Sequence, residues 1–309
     1  MALVNKQYLF GRKITPVLFL LPGLLLYLVI AFGPSLATIV YSFTDASGIR
    51  GAVVNWIGFE NFDEFLFRGV ASRDNLDALK RTLQFMFFVT ALQFGLGLLF
   101  AVILNQNKLK GRLFFRTIIF MPVILGVVIQ GFLWKLFLLP RGGPMAEVWG
   151  WFGLQSEFLG GTDAFWWVIF IQIWANVGIT MVIFIAGMQA ISDELYDAAK
   201  VDGASGWQLF KNVTWPQLTP AINTNFLLNI IGSLQAWALF LVTIGYKNGT
   251  QVLGYLVYAE GFGQTSGSVT SSFRQGYAAA ASVVLFLLVL VLGLSANWFV
   301  TRREMKYMG

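Results

Sequence analysis

The 309-residue sequence contains no cysteine and no histidine. Without cysteine the chain forms no disulfide and offers neither a thiolate metal site nor a cysteine nucleophile. Without histidine it lacks the commonest metal ligand and the usual general base near neutral pH. The composition therefore predicts no metal site and no catalytic residue in this chain.

Charged side chains are also scarce, at 12% of the residues, whereas hydrophobic residues make up 57%. An average soluble domain is about one quarter charged. A soluble fold of this length could not cover its core with so few charges, so most of its surface is expected to face a lipid bilayer. The net charge of +6 is carried by segments between the apolar runs. Anionic lipid headgroups, and not nucleic acid, are the expected partner of these charges.

Long apolar runs fill most of the sequence. A membrane-spanning helix needs about 20 mostly apolar residues, and none of these runs has the alternating pattern of a membrane β-barrel. Lys135 is the only charged residue within them. The sequence predicts an all-α membrane protein with one transmembrane domain over residues 1–309. Its six expected spans are 15–43, 82–104, 117–139, 164–188, 221–244 and 277–301.

The first span resembles a signal peptide in position, but its apolar stretch exceeds the 7–15 residues usual for such a segment, so we expect an uncleaved helix. Basic residues in the flanking segments predict its orientation. With the N-terminus in the cytoplasm, twelve Lys and Arg residues lie inside and eight lie outside. The contrast is sharpest in segment 105–116, which has four basic residues and no acidic one. We therefore expect both termini in the cytoplasm (N-in/C-in).

The cytoplasmic loop over residues 191–216 has a distinctive local pattern. Ser192 is placed to cap a short helix whose first turn is acidic. Gly203 offers a left-handed position that ends this helix, and a second short amphipathic helix is expected before Pro216. Small residues at such a turn suit insertion into a cleft of another protein, although a plain interfacial connector fits the helix pattern equally well.

This loop resembles the cytoplasmic signature of ABC importer permeases: Glu-Ala-Ala, three residues, Gly, nine residues, Ile, one residue, Leu-Pro. The sequence has Asp197-Ala198-Ala199, Gly203, Val213 and Trp215-Pro216 at this spacing. The three departures keep the charge or the apolar character. Features of the carbohydrate-uptake branch, which includes the maltose-type permeases, are Asp202, a Gly-x-x-Asn-Phe segment from Gly58 to Phe62, and an Arg-x-x-x-Phe-Met-Pro segment from Arg116 to Pro122.

The resemblance implies the type I ABC importer permease fold, with one N-terminal helix and a five-helix core, in the cytoplasmic membrane of a bacterium or archaeon. It implies a second homologous permease, two ATPase subunits, an extracytoplasmic solute-binding protein and a sugar substrate. The ATPases would receive the coupling loop at Asp197, Ala198, Ala199, Asp202, Gly203 and Pro216. No cofactor is expected in this chain, because it has no GxxxxGK[ST] motif. ATP and Mg would bind to the partner ATPases.

Polar side chains inside the spans are candidates for substrate binding. Three pairs stand four residues apart, on one face of their helices: Gln172 with Asn176, Asn225 with Asn229, and Gln130 with Trp134. Amides suit a ligand made of hydroxyls, and an indole can stack on a sugar ring. In maltose-type permeases, the positions that resemble the first two pairs contact sugar. Packing between helices remains the alternative; Gln93 and Gln235 are expected to pack or to lie at an interface, and the role of Trp237 is open.

Two other functions compete with sugar import. Within the importer class, the alternative solute is glycerol phosphate or another small polyol ester, which would require a cation near the pathway. Lys135 is the only such residue within the spans. An ion-coupled secondary transporter is the alternative from a different class. Proton coupling commonly uses an intramembrane carboxylate or histidine, and the six predicted spans contain neither.

Overall fold

The computed structural model describes residues 15–49, 51–106, 109–245, 250–263, 265–266, 269–270 and 273–308. The basic residues Lys6, Arg12, Lys13, Arg50, Lys108 and Lys247, which were counted for the orientation, lie outside these ranges.

The described part of the chain is almost entirely helical, as the sequence predicts. A pair of two-residue antiparallel strands, β1 (Thr265–Ser266) and β2 (Val269–Thr270), precedes the last helix. The helices are α1 (Thr15–Tyr27), α2 (Gly33–Tyr41), α3 (Glu60–Leu66), α4 (Gly69–Leu104), α5 (Arg112–Ile124), α6 (Val127–Phe137), α7 (Pro144–Trp151), α8 (Ala164–Gln189), α9 (Asp193–Val201), α10 (Gly206–Leu209), α11 (Trp215–Gln217), α12 (Thr219–Leu234), α13 (Ala238–Thr243), α14 (Leu253–Phe262) and α15 (Gln275–Met308).

Four uninterrupted helical stretches in the described residues are long and apolar enough to cross a membrane. They are Val17–Tyr41, Arg73–Leu104, Ala164–Gln189 and Gln275–Arg302. They correspond to the first, second, fourth and sixth predicted spans. The chain is therefore a multi-pass membrane protein.

The third predicted span is broken into α5 and α6, which meet at an angle of 104°. Leu125 and Gly126 at the junction have extended backbone conformations. Pro122, just before the junction, provides no backbone N–H. With this pair counted as one span, the total rises to five.

The fifth predicted span is also divided. Helix α12 has 16 residues, which corresponds to about 24 Å at 1.5 Å per residue, and Gln235–Trp237 separate it from α13. Periodicity and apolar content do not reveal this interruption, because 221–244 remains apolar across it. The six-helix count and the orientation stay predictions.

The first span stands apart from the rest of the chain. No residue of its most apolar 18-residue window is buried by the described chain, and α2 is the part that packs against α15. A π-helical turn over Leu28–Phe32 joins α1 to α2 and ends two positions before Pro34. The wider turn accommodates the missing N–H of this proline. Lipid or another chain must therefore cover the apolar side chains of this helix.

Helix α8 is the centre of the bundle and packs against α4, α5 and α12. Its approach to α5 depends on Gly178, because a Cβ at this position would lie 2.5 Å from the carbonyl oxygen of Ile119. Small residues commonly permit such close approaches between membrane helices. Apolar side chains of α4 and α8, including Phe85, Val89 and Phe165, continue the core toward α13 and α14.

Candidate functional site

Local hydrogen bonds define both ends of α9 in the loop over residues 191–216. The Ser192 hydroxyl accepts a hydrogen bond from the backbone N–H of Glu194 at 3.3 Å, which satisfies one free donor of the first turn. At the other end, Gly203 has a φ of +78°. The N–H groups of Gly203 and Ala204 donate to the carbonyls of Lys200 and Ala199, both at 3.0 Å. These two bonds form a Schellman motif, so Gly203 ends α9 in the manner that the sequence predicts.

The second half of the loop begins with a capping box. The Gln208 N–H donates to the Ser205 hydroxyl, and the Ser205 N–H donates to the Gln208 side chain. A hydrogen bond of 3.0 Å between the Tyr196 and Thr214 hydroxyls joins α9 to the π-helical turn that follows α10. The two parts of the loop are thereby held in one arrangement.

The folded loop exposes apolar side chains around its turn. Val201 is 88% exposed, Trp207 is 70% exposed and Leu195 is 44% exposed. Asp197 accepts a hydrogen bond of 2.8 Å from Lys200, and this bond raises the pKa of Lys200 above its ordinary value. Apolar side chains this exposed are expected where another protein binds.

The structure places the predicted coupling residues in two groups. Five of them lie together on α9 and at the turn that follows it: Asp197, Ala198, Ala199, Asp202 and Gly203. Pro216 lies in α11, beyond the capping box. The exposed Leu195 and Val201 lie on α9 with the first group, and the exposed Trp207 lies in α10, which follows the turn.

Asn225 and Asn229 on α12 are buried inside the helix bundle. The Gln93 side chain on α4 donates to the Asn229 side-chain oxygen at 2.8 Å and to the Thr180 hydroxyl at 3.0 Å. Asn225 donates to the Thr180 carbonyl at 3.2 Å. These bonds connect α4, α8 and α12. Gln93 therefore packs between helices, as expected, but no spacing in the sequence identifies Thr180 as its partner.

Gln172 and Asn176 lie on α8 and remain partly exposed. The Asn176 side chain donates to the Gln172 backbone carbonyl at 3.0 Å. Among the described residues, the Gln172 side-chain amide makes no hydrogen bond. Of the predicted substrate-binding residues, Gln172 and Asn176 thus have polar groups that a solute could contact.

Gln130 fills a structural position at the break between α5 and α6. Its side-chain amide donates to the carbonyls of Pro122 and Leu125, both at 2.9 Å. These carbonyls belong to the last turn of α5 and the junction, where the regular helical hydrogen bonds end; the Pro122 carbonyl also accepts from the Leu125 N–H at 3.1 Å. Trp134, one turn further along α6, packs edge to face against Phe170 and Trp174 of α8. Gln130 thus supports the bend that positions Trp134.

A charged cluster that the sequence analysis did not identify joins α3, α14 and α15. The Arg274 guanidinium donates to the Glu64 carboxylate, and its backbone N–H donates to the Glu260 carbonyl at 3.0 Å. Burial raises the pKa of the Glu260 carboxyl group, although the charge of Arg274 opposes the change. Tyr277, whose ring lies against Arg274, accepts a hydrogen bond from Asn75 on α4. No local motif links these residues, which come from four separate elements.

Comparison with protein families gives one match, over residues 93–305, to a family described as binding-protein-dependent transport system inner membrane component. The matched region contains the loop over residues 191–216, the amides of α8 and α12, and the broken third span.

Two curated relatives match over nearly their full lengths. The chain is 27% identical to the probable starch degradation products transport system permease protein AmyD of Thermoanaerobacterium thermosulfurigenes, over 98% of this chain and 100% of the relative. It is 28% identical to the sn-glycerol-3-phosphate transport system permease protein UgpA of Agrobacterium fabrum, over 96% and 98% of the two chains.

Among solved structures, the chain is similar to one in a bacterial alginate ABC transporter in complex with an alginate pentasaccharide-bound periplasmic protein. The TM-score is 0.78, with 24% identity over 97% of this chain and 98% of the other. At this identity the similarity establishes the fold, which is that of an ABC importer permease.

Proposed function

Because this chain belongs to the family of binding-protein-dependent transport system inner membrane components, and is thus the permease subunit of an ABC importer, we propose that its solute is a sugar or oligosaccharide. A solute-binding protein delivers the solute at the outer face, and partner ATPases drive transport. The solute class is proposed because the chain is similar over its full length to a probable permease for starch degradation products.

The proposed complex contains a second homologous permease and two ATPase subunits, which bind ATP and Mg. This chain provides no catalytic group. The exposed first span, which no other described residue buries over most of its length, supports a second membrane subunit. We also propose that the chain crosses the cytoplasmic membrane of a bacterium or archaeon six times, with both termini in the cytoplasm.

The coupling role is assigned to the loop over residues 191–216. Its support is the fixed turn at Gly203, beside the exposed Val201 and Trp207. A cleft in an ATPase would cover these apolar side chains, and the capped helices would transmit its movement to α8 and α12. Asp197, Ala198, Ala199, Asp202, Gly203 and Pro216 are the proposed contact set.

The solute pathway is assigned to the intramembrane amides and Trp134. Gln172, Asn176 and Trp134 have partly exposed side chains that can contact a solute. Asn225, Asn229 and Gln130 are more deeply buried, and their part in the pathway is to hold the helices that carry the first three.

Glycerol 3-phosphate is the second candidate solute, favoured by the similarity to UgpA. A phosphate monoester would require a cation beside the pathway. Lys135 is exposed on α6 and is the candidate. An ion-coupled carrier is disfavoured, since the predicted spans contain no carboxylate and no histidine.

Reconstitution tests the function directly. The chain is purified with its partner permease and ATPases and placed in proteoliposomes with the cognate binding protein outside and ATP inside. We expect ATP-dependent uptake of a malto-oligosaccharide such as maltotriose, or of another oligosaccharide. Uptake of glycerol 3-phosphate alone would contradict the sugar assignment, and uptake that follows an ion gradient without ATP would contradict the importer class.

A further inference from the structure

A cavity of about 630 Å³ lies between the end of α12, helix α14 and the first half of α15. Small-molecule pockets are commonly about 300–1,000 Å³. The side chains that characterise it are Gln235, Trp237, Tyr258, Phe262, Ser282 and Phe286. None of them belongs to the amide network around Asn229 or to the coupling loop.

The cavity contains a platform of aromatic rings. The rings of Trp237 and Tyr258 stack with centroids 4.8 Å apart and an angle of 20° between their planes. Phe262 extends the platform, with its ring 5.3 Å from that of Tyr258. Trp237 is still 40% exposed, so part of the indole is available for another flat apolar surface.

The interruption between α12 and α13 creates this platform. Trp237 has a φ of −139°, outside the helical region, which turns its side chain away from the course of α12. Gly254 lets α14 lie close to the interruption, because a Cβ there would be 3.3 Å from the Ala236 carbonyl oxygen. The break that shortens the fifth span therefore brings an indole against α14.

Three polar groups of this cavity have no internal partner. Among the described residues, the Gln235 amide, the Trp237 indole N–H and the Tyr258 hydroxyl make no hydrogen bond. The Ser282 hydroxyl, by contrast, donates to the Ala278 carbonyl. Unpaired polar groups are costly against lipid chains. A lipid acyl chain would leave all three unpaired, whereas a polyhydroxylated ring could bond to them and stack on the indole.

We propose that this cavity binds one sugar ring of the transported oligosaccharide, with Trp237 as the stacking surface and Gln235 and Tyr258 as hydrogen-bonding groups. The inference rests on the proposed function. In the proposed orientation α12 runs outward, so the cavity lies in the outer half of the membrane. It would receive the solute before the amides of α8.

The test is initial-rate uptake of labelled maltotriose by the reconstituted full complex with loaded binding protein. Trp237→Leu removes the stacking surface and should reduce uptake about two- to tenfold, the range expected for an aromatic contact. Trp237→Phe retains an aromatic face and should recover much of the rate. Tyr258→Phe and Gln235→Leu each remove one hydrogen-bonding group and should also slow uptake. Trp298→Leu, at an exposed tryptophan near the other end of α15, is the matched control and should transport normally.

Thermal stability and the recovery of partner subunits are measured for every variant. Reduced uptake with unchanged stability and assembly supports the proposal. Unchanged uptake in Trp237→Leu, Tyr258→Phe and Gln235→Leu overturns it and leaves the importer function intact. Loss of the partner permease from Trp237→Leu would assign the cavity to the subunit interface and also overturn it. An unsubstituted complex that takes up no saccharide would instead refute the sugar function on which the inference rests.

Discussion

The Nε2 atom of Gln93 on α4 lies 2.8 Å from the Oδ1 atom of Asn229 on α12, and both side chains are buried. The same nitrogen donates to the Thr180 hydroxyl on α8. One glutamine thus connects the three helices that form the centre of the bundle. Stability and transport should therefore respond differently to changes at Asn229 and at the more exposed Gln172.

Asn229→Leu should lower the thermal stability of the purified complex. The change leaves the buried Gln93 amide without one acceptor, at a cost of about 1–3 kcal/mol by soluble-protein measurements and about 0.6 kcal/mol by the average for interhelical bonds in membranes. Gln172→Leu is the matched variant and should keep its stability while uptake falls or its preference among sugars changes. Normal stability in Asn229→Leu, together with altered sugar preference, would instead make Asn229 a direct solute ligand.

Gln130→Leu should destabilise the bend between α5 and α6. The substitution removes the side-chain donor to the Leu125 carbonyl and one of two donors to the Pro122 carbonyl, which keeps the Leu125 N–H. A carbonyl left unsatisfied away from water costs about 1–3 kcal/mol. Thermal unfolding measures the loss. Gln84→Leu is the control, because among the described residues the Gln84 side chain accepts only a long hydrogen bond from Arg81 at 3.4 Å. Equal stability of both variants and the parent would show that the bend does not depend on Gln130.

Gly203→Val should abolish uptake and reduce co-purification of the ATPases, while membrane insertion remains normal. The φ of +78° makes a side chain with a Cβ cost about 1 kcal/mol or more. No atom of the described chain lies within 4 Å of the added Cβ, so the effect arises from the backbone and from the partner.

Gly206→Val is the control for that experiment. Gly206 lies in the same loop with equally open space around it, but it has no positive φ. The Gly206→Val complex should co-purify with more ATPase and show faster uptake than the Gly203→Val complex. Normal uptake by Gly203→Val would mean that the loop is only a connector.

The predicted orientation can be tested by thiol labelling, because the native chain has no cysteine. Single substitutions Lys110→Cys and Ser205→Cys should resist an impermeant maleimide added to intact cells, or to spheroplasts where an outer membrane is present. Ser156→Cys should react. Permeabilised cells are the control in which all three should be labelled. Labelling of Lys110→Cys from outside would refute the N-in/C-in topology.

Glu260→Gln should raise thermal stability near neutral pH. Burial raises the pKa of Glu260 above 4.5, so the folded state binds more protons than the unfolded state between pH 4.5 and the folded pKa. The free energy of unfolding contributed by this group therefore falls as pH rises through that window. In Glu260→Gln this contribution to the pH dependence of the free energy of unfolding should be absent. The prediction would be contradicted if the free energies of unfolding of parent and variant differed by the same amount at every pH in this range.

Particular residues mark the limit of prediction from sequence. The Ser192 cap and the left-handed Gly203 follow from residues within a few positions of one another, so local chemistry predicts them. The interruption at Gln235–Trp237 was not predicted, because the residues on both sides are equally apolar. Spacing alone allows Asn225 and Asn229 to be either solute ligands or packing residues. Their hydrogen bonds with Gln93 and with the Thr180 carbonyl support packing.

The sequence by itself determined that the chain is a helical membrane protein with a capped helix that ends at Gly203, because hydropathy and capping act over one helix or less. The tertiary structure decided where the spans are bent, which amides are buried and which tryptophan lines a cavity. Gln93 and Asn229 are 136 positions apart, and Arg274 and Glu64 are 210 apart. Side chains at such separations meet only when whole helices pack, and the choice among polar partners depends on that packing, which no local pattern encodes.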